Sequence, residues 1–121
     1  MSKWLQISEL VYADLALHTP LTTLLSHGPD SIYPLIATPN EGDSFINYYT
    51  SYETKPSKDG IYEFTVVINA FASTYNKAIA IADKVTDAIK ASNNIYLIQG
   101  GKPVFNDQDE FYIEQTFNIK K

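Results

Sequence analysis

The stretch Ile61-Tyr-Glu-Phe-Thr-Val-Val-Ile-Asn-Ala-Phe-Ala72 decides the fold, because β-branched and aromatic residues dominate it. Such residues favour a pleated, half-buried strand. One face of this predicted strand is apolar and carries Tyr62, Phe64, Val66, Ile68 and Ala70. The other face mixes polar with apolar residues, namely Glu63, Thr65, Val67, Asn69 and Phe71. We therefore expect a central strand that is covered on one side and partly covered on the other.

A change of hydrophobic period follows this strand. Ser73 or Thr74 offers a hydroxyl for an N-cap. Asn93-Asn94 is expected to end the helix, because asparagine tolerates the left-handed backbone conformation that often follows a helix. Between them the apolar residues recur at three- and four-residue spacing: Ala78, Ile81, Ala82, Val85, Ala88 and Ile89. The pattern predicts one long helix over about residues 74–92 that covers the strand.

The N-terminal region is also predicted to be helical. Apolar residues at helical spacing indicate a helix over residues 3–17. Thr19-Pro20 interrupts it, because the residue before a proline is pushed away from the helical region. Leu21, Leu24 and Leu25 then suggest a short further helix that ends at Gly28-Pro29.

The remaining segments predict the rest of the sheet. Ile32–Ile36 is expected at a sheet edge, because Pro34 cannot donate to a ladder. The polar loop over residues 55–60 indicates a hairpin between strands at 45–54 and 61–72. A short strand over 95–98 is predicted to break at Gly100-Gly101 and Pro103, and a turn over 106–109 precedes a closing strand over 111–119. The chain therefore predicts a single α+β domain over residues 1–121, with a mainly antiparallel sheet of about four strands, the long helix and an N-terminal helical region.

Composition excludes several classes of function. The chain has 121 residues, a net charge of −5, nine lysines and no arginine. Nucleic-acid binding needs clustered basic side chains, so specific binding of this kind is not expected. Without cysteine there is no disulfide, thiolate metal site or cysteine nucleophile. No apolar run approaches a membrane span and no signal-peptide core is present, so we expect a protein made in the cytoplasm.

Two histidines raise the question of a metal site. His18 and His27 lie close together in the sequence, and Asp14 or Asp30 could supply a carboxylate. Their spacing matches no ligand motif, so surface or capping histidines are favoured over a metal or acid–base role.

Two other segments contain residues found in ligand-binding loops, but neither matches the pattern of such a loop. The acidic residues Asp107, Asp109 and Glu110 are too few for a calcium loop. Gly100-Gly101-Lys102 lacks the glycine spacing and the following helix of a phosphate loop. Solvated turns are the simpler interpretation, and no segment resembles a nucleophile elbow. We expect no enzyme activity, no cofactor and no metal.

The tyrosines suggest an interface. Tyr48, Tyr49 and Tyr52 lie on the first hairpin strand, and Tyr62 is expected opposite them. Tyrosine is enriched where proteins meet, so these rings are candidates for a subunit contact. The alternative is that they cover one sheet face beneath a helix, and both interpretations stay open.

The order of features resembles the family of small phage and prophage tail-completion proteins, which includes tail terminators and tail-to-head joining proteins. The resemblance covers nearly the whole chain from about residue 5. It rests on these segments: Leu21-Thr-Thr-Leu-Leu25, Ile32-Tyr-Pro34, Phe45-Ile-Asn-Tyr-Tyr49, Val67-Ile-Asn-Ala-Phe-Ala-Ser73, the turn Thr74-Tyr75, the helix with Ala78, Ala82, Val85 and Ile89, and the strand from Tyr112 to Ile119. The missing arginine departs from many members and puts arginine-based subunit contacts in doubt.

The resemblance implies a structural virion protein whose copies form a ring, often of six. Such a ring would contact the tail tube and head–tail connector proteins, and DNA would pass through it without specific binding. The expected location is the tail of a virion assembled in a bacterial host. The expected interface residues are Tyr48, Tyr49, Tyr52, Lys55, Lys58, Asp59, Lys102, Asp107 and Asp109. The alternative is a small cytoplasmic ligand-binding or regulatory domain with a cavity between sheet and helix.

Overall fold

The chain folds into a sheet with helices along one side. The computed structural model describes residues 3–26, 28–34, 44–52, 63–92, 96–105 and 111–120. Within them the helices are α1 (Lys3–Ala16), α2 (Thr19–Thr22), a 3-10 helix (Gly28–Ser31) and α3 (Tyr75–Ala91). The strands are β1 (Ile32–Pro34), β2 (Phe45–Tyr52), β3 (Glu63–Phe71), β4 (Tyr96–Phe105) and β5 (Phe111–Lys120).

The five strands form one sheet in the order β1-β2-β3-β5-β4. β1 pairs parallel with β2, and the other neighbours pair antiparallel. The predicted α+β class and the central position of β3 are confirmed. The sheet has five strands rather than about four, since the short segment ending at Pro34 joins it as an edge strand, where a missing donor is tolerated.

The hydrophobic core lies between α1, α3 and one face of the sheet, which we call the helix face. The helix face of β3 carries Phe64, Val66, Ile68 and Ala70, all between 0% and 1% exposed. The six apolar residues predicted for the covered side of α3 are all buried. Burial of each large apolar side chain contributes about 1.5–3 kcal/mol, so this layer supplies most of the fold's driving force.

Of the two hydroxyl residues that the sequence offered as a cap, Ser73 and Thr74, it is Thr74 that caps the long helix. The Thr74 hydroxyl accepts a hydrogen bond from the Lys77 backbone N–H at 3.2 Å, which satisfies one of the free donors of the first turn. α3 ends at Ala91, and the Ser92 N–H donates to the Ile89 carbonyl at 3.3 Å. The predicted stop at Asn93-Asn94 lies outside the described residues.

The second helical segment is shorter than its leucines suggested. α2 is a single turn, with Pro20 in the first turn and His18 extended at the N-cap. Leu25 lies beyond the helix but is still buried, at 6% exposure. Gly28 has a φ of 59°, which suits glycine, and begins the 3-10 helix instead of simply ending a helix.

The predicted break of the fourth strand is wrong. β4 continues through Gly100-Gly101 and Pro103 to Phe105, with a register shift between Ile98 and Gly100. Gly100 has a φ of 146°, so the glycine forms an irregularity within the strand and does not end it. Pro103 is accommodated because β4 is the edge strand next to β5.

Candidate functional site

The sheet has a second face, opposite α1 and α3, which we call the open face. α3 reaches the helix face through Gln115, whose amide nitrogen donates to the Ala82 carbonyl at 3.1 Å and the Thr86 hydroxyl at 2.9 Å. α1 meets the same face at Tyr48, which contacts Ser8. Alternate residues of each strand therefore form the open face, and no described helix packs on it. These residues are Tyr33, Phe45, Asn47, Tyr49, Ser51, Glu63, Thr65, Val67, Asn69, Phe71, Lys102, Val104, Tyr112, Glu114, Thr116 and Asn118.

Four half-buried rings cross one end of the open face and form an aromatic row. Phe45 and Phe71 are stacked, with centroids 4.5 Å apart and planes 8° from parallel. Tyr33 meets Phe45 edge-on at 6.3 Å, and Phe71 lies 4.7 Å from Tyr112. Each such pair contributes about 0.5–1.5 kcal/mol beyond burial, so the row joins β1, β2, β3 and β5 into a firm apolar strip.

The middle of the open face is polar. Asn69 donates to the Asn47 side-chain oxygen at 2.8 Å, and Asn118 donates to Glu63 at 2.7 Å. The side-chain oxygens of Asn69 and Asn118 are buried and accept no hydrogen bond from the described part of the chain. Cross-strand pairs of this kind align the strands and leave polar groups in a half-covered surface.

A hollow of about 470 Å³ opens on this face where β4 has no side chain at Gly100. Its walls are Thr65, Gly100, Gly101, Lys102, Glu114, Thr116 and Asn118. Lys102 lies directly opposite Glu114 in the strand register, and the ion pair found among the described residues is elsewhere, between Lys84 and Asp87. The hollow therefore presents one cation, one anion and hydroxyl groups, without a nucleophile and base side by side.

The structure places some of the candidate interface residues at the surface and buries one of them. Tyr49 is 40% exposed on the open face, and Lys102 is exposed on the same face. The backbone of Tyr52 pairs with Phe64 in the sheet. Tyr48 is 4% exposed beneath α1, so it matches the alternative in which a ring covers the sheet under a helix. The remaining candidates lie outside the described residues: Lys55, Lys58, Asp59, Asp107 and Asp109, together with Tyr62.

The burial of Tyr48 has an electrostatic consequence. Burial raises the pKa of the Tyr48 phenol above its ordinary value, and the nearby Tyr12 and Glu9 raise it further. A hydrogen bond with the Ser8 side chain acts in the opposite direction. Tyr48 therefore stays neutral and fixes α1 on β2. The alternation of the β2 sequence carried this signal, because Ile46, Tyr48 and Thr50 share one face.

The candidate metal residues do not come together in the described part of the chain. The Asp14 carboxylate accepts a hydrogen bond from the Ser92 hydroxyl at 2.8 Å, which ties α1 to the end of α3. His18 is the N-cap of α2 and Asp30 is exposed in the 3-10 helix, whereas His27 lies outside the described residues. No group of three or more His, Asp or Glu residues among those described could hold a metal ion.

Sequence reasoning missed an exposed apolar surface on α1. Among the α1 residues whose side chains the structure describes, the exposed ones are Leu5, Gln6, Glu9, Tyr12 and Ala13, and with Leu17 they form what we call the α1 outer side. Leu5 is 50% exposed, Tyr12 36% and Leu17, just after the helix, 82%. The sequence contains the signal for this surface, because the apolar residues Leu5 and Leu17 lie outside the helical stripe formed by Ile7, Val11 and Leu15. None of the described helices is long and apolar enough to cross a bilayer.

Comparison with known proteins gives a fold and not a family. No protein-family model matches the sequence, and no curated protein matches it. Among solved structures, the chain is similar to a chain of the virion of a native gene transfer agent particle. The two are 16% identical, the alignment covers 99% of this chain and 98% of the other, and the TM-score is 0.70. At this identity the likeness shows that the two chains share a fold from end to end.

Proposed function

We propose that the protein is a structural virion protein of a phage-like tail: a tail terminator or head–tail joining subunit whose copies form a ring on the tail tube. The observation that carries the proposal is the fold likeness, over 99% of this chain, to a chain of a gene transfer agent virion. The order of sequence features that resembles tail-completion proteins points to the same role.

The described surface fits a protein that acts by contact. A sheet face on which no described helix packs, together with its aromatic row, offers area to another protein, whereas enzymes and small-ligand proteins bind their ligands in concave, mostly apolar pockets with a few polar groups. Tyr49 and Lys102 bring two of the predicted interface residues onto this face. The net charge of −5 suits a ring through which DNA slides without sticking.

The alternative, a ligand-binding domain, expects a cavity between sheet and helix. The hollow lined by described residues such as Thr65 and Lys102 lies on the open face. On the helix face the residues that meet α3 are closely packed, with Ile68, Phe117 and Val85 all at 0% exposure. The geometry therefore favours a binding surface over an enclosed ligand site.

The test is a capping experiment on purified tail tubes from the phage or prophage that encodes the protein. Tubes would be mixed with the protein and viewed by electron microscopy, with tube length and end shape scored. We expect a ring at one end of each tube and an arrest of further tube growth. Tubes that keep growing with bare ends at saturating protein would reject the proposal.

A further inference from the structure

Both edges of the sheet are formed by strands that contain an exposed proline. β1 and β4 occupy the two edges, and among the described residues no strand pairs with the outer side of either. A free sheet edge presents a row of unpaired N–H and C=O groups, to which another strand can add. Pro34 and Pro103 lack the backbone donor that such a strand would need. What each edge offers to a partner therefore depends on where its remaining donors lie.

The β1 edge is too short to accept another strand. β1 has three residues, Ile32–Pro34, and the last of them is the proline. Its inner side is already paired with β2. Because only alternate residues turn their backbone groups outward, a partner strand would gain only about one or two hydrogen bonds from this edge. Very short edge strands are one of the ways in which sheet proteins avoid pairing with one another.

The β4 edge is long enough to accept a strand, but a bulge interrupts its row of backbone groups. β4 has ten residues, Tyr96–Phe105. The register shift between Ile98 and Gly100 places one extra residue in this strand, and Gly100 has a φ of 146°. A bulge changes which side the following backbone groups face, so a straight partner strand cannot keep its register across it. Lys102, which is exposed, adds a charge to the same edge.

Pro103 interrupts the same edge a second time. In an antiparallel ladder, alternate residues turn their N–H and C=O groups toward opposite neighbours. β4 stays paired with β5 on both sides of Pro103, which lies opposite Ile113, so the nitrogen without a hydrogen belongs on the outer side. Gly101 and Phe105 share this phase, and their N–H groups face outward as well. These two donors are four residues apart, about 13 Å, with the proline ring between them.

We infer that these features close both edges of the sheet to strand addition, so that copies of this chain do not join edge to edge. Other proteins then contact the molecule through its sheet face and helices, where exposed side chains such as Tyr49 lie. This goes beyond the proposed function, because it applies to the free chain as well as to a ring. Subunits that have not yet met a tail tube are thereby kept from polymerising through their sheets, a general route by which sheet proteins aggregate.

Restoring the missing donor tests the closed edge. Pro103→Thr introduces an N–H on the outer side of β4, in a residue type that favours strands. Pro20→Thr is the matched control, because it makes the same replacement at an exposed proline in the first turn of α2. In sedimentation over a concentration series, we expect Pro103→Thr to self-associate at least about tenfold more tightly than the original protein, and Pro20→Thr to match the original. Association of Pro103→Thr no tighter than that of Pro20→Thr would overturn the inference.

Amide hydrogen exchange provides a second measurement, on the original protein. The amides of Lys102 and Val104 face β5 and should exchange slowly, whereas those of Gly101 and Phe105 should exchange at least about a hundredfold faster. Slow exchange of Gly101 and Phe105 in the free chain would overturn the inference, because the outer side would then already be paired.

The same measurement on tail tubes separates this inference from the proposed function. Capped tubes in which the Gly101 and Phe105 amides become protected would overturn the closed edge and leave the capping role standing. Bare tubes, with both amides still in fast exchange, would reject the capping role and retain the closed edge.

Discussion

The two faces of the sheet are made by the same strands and differ in what they do. On β3 the helix-face residues are almost completely buried, and Val67 and Asn69 on the open face are also buried, at 6% and 9% exposure. Glu63 and Tyr49, on the same open face, remain exposed. One face is complete within the chain, whereas the other is partly covered and still offers contact area.

This difference separates folding from association. A side chain on the helix face contributes to the free energy of unfolding, because its removal leaves a cavity in a closely packed layer. An exposed side chain on the open face, such as Tyr49, has solvent on one side, so its replacement changes mainly what a partner can contact. Substitutions on the two faces therefore test where that division holds.

The largest effect is expected from Phe117→Ala on the helix face. Phe117 is 0% exposed and pairs with Val66 in the sheet, so truncation should lower the free energy of unfolding by about 3–5 kcal/mol. Urea unfolding followed by circular dichroism measures it. Tyr112→Ala, on the open face of the same strand, is the matched comparison and should cost clearly less. Equal losses would mean that the two faces are equally well packed.

Gln115→Ala should have the next largest effect, because Gln115 joins β5 to α3. Its amide donates to the Ala82 carbonyl and the Thr86 hydroxyl, and loss of both bonds should cost about 1–3 kcal/mol. Thr86→Val removes one of these bonds and should cost less. The two changes should be less than additive in urea melts of the double variant, since they share one contact. Full additivity would show that the side chains act separately.

Tyr48→Phe tests the buried phenol through its pH dependence. Because the pKa of Tyr48 is raised in the folded protein, the unfolded chain loses this proton first as the pH rises. The stability contributed by the neutral phenol is therefore complete below about pH 10 and is lost above it. The variant should lose about 1 kcal/mol near neutral pH and show a shallower alkaline decline than the original protein. Parallel declines in thermal melts from pH 8 to 11 would exclude this role, and Ser8→Ala isolates the hydrogen bond.

The helix face could be predicted closely from the sequence, for a physical reason. Hydrophobic periodicity records burial, and both β3 and α3 bury one side of a regular element, so their buried residues were identified correctly. The cap was narrowed only to Ser73 or Thr74, because adjacent hydroxyl residues suit the position equally well. The bulge at Gly100 could not be predicted, because glycine at that position fits a strand end and a bulge equally well. The pairing register of β4 with β5 decides between a strand end and a bulge, and this register depends on residues that are distant in the sequence.

The open face was harder to predict, because its residues have mixed character and alternation does not indicate what lies beyond them. Tyr48 and Tyr49 illustrate the difficulty. Both were grouped as interface candidates by residue type, whereas the position of α1 places one at 4% exposure and the other at 40%. Tyrosine suits both environments, since the ring accepts burial and the hydroxyl accepts water. Which tyrosine is buried depends on where α1 packs in the tertiary structure, and residue type alone does not predict this.

The smallest effect on stability, and the sharpest test of the open face, is expected from Tyr49→Lys. Tyr49 lies between solvent and the row formed with Val67 and Thr116, so the change should alter the free energy of unfolding by no more than about 0.5 kcal/mol. It should nevertheless weaken self-association and binding to tail tubes at least about tenfold, because it places an unpaired charge in a surface that a partner must desolvate. Tyr75→Lys, at a similarly exposed tyrosine on α3, should leave both measurements unchanged. Lower thermal stability with intact association would reverse the assignment and place Tyr49 with the residues that hold the fold together.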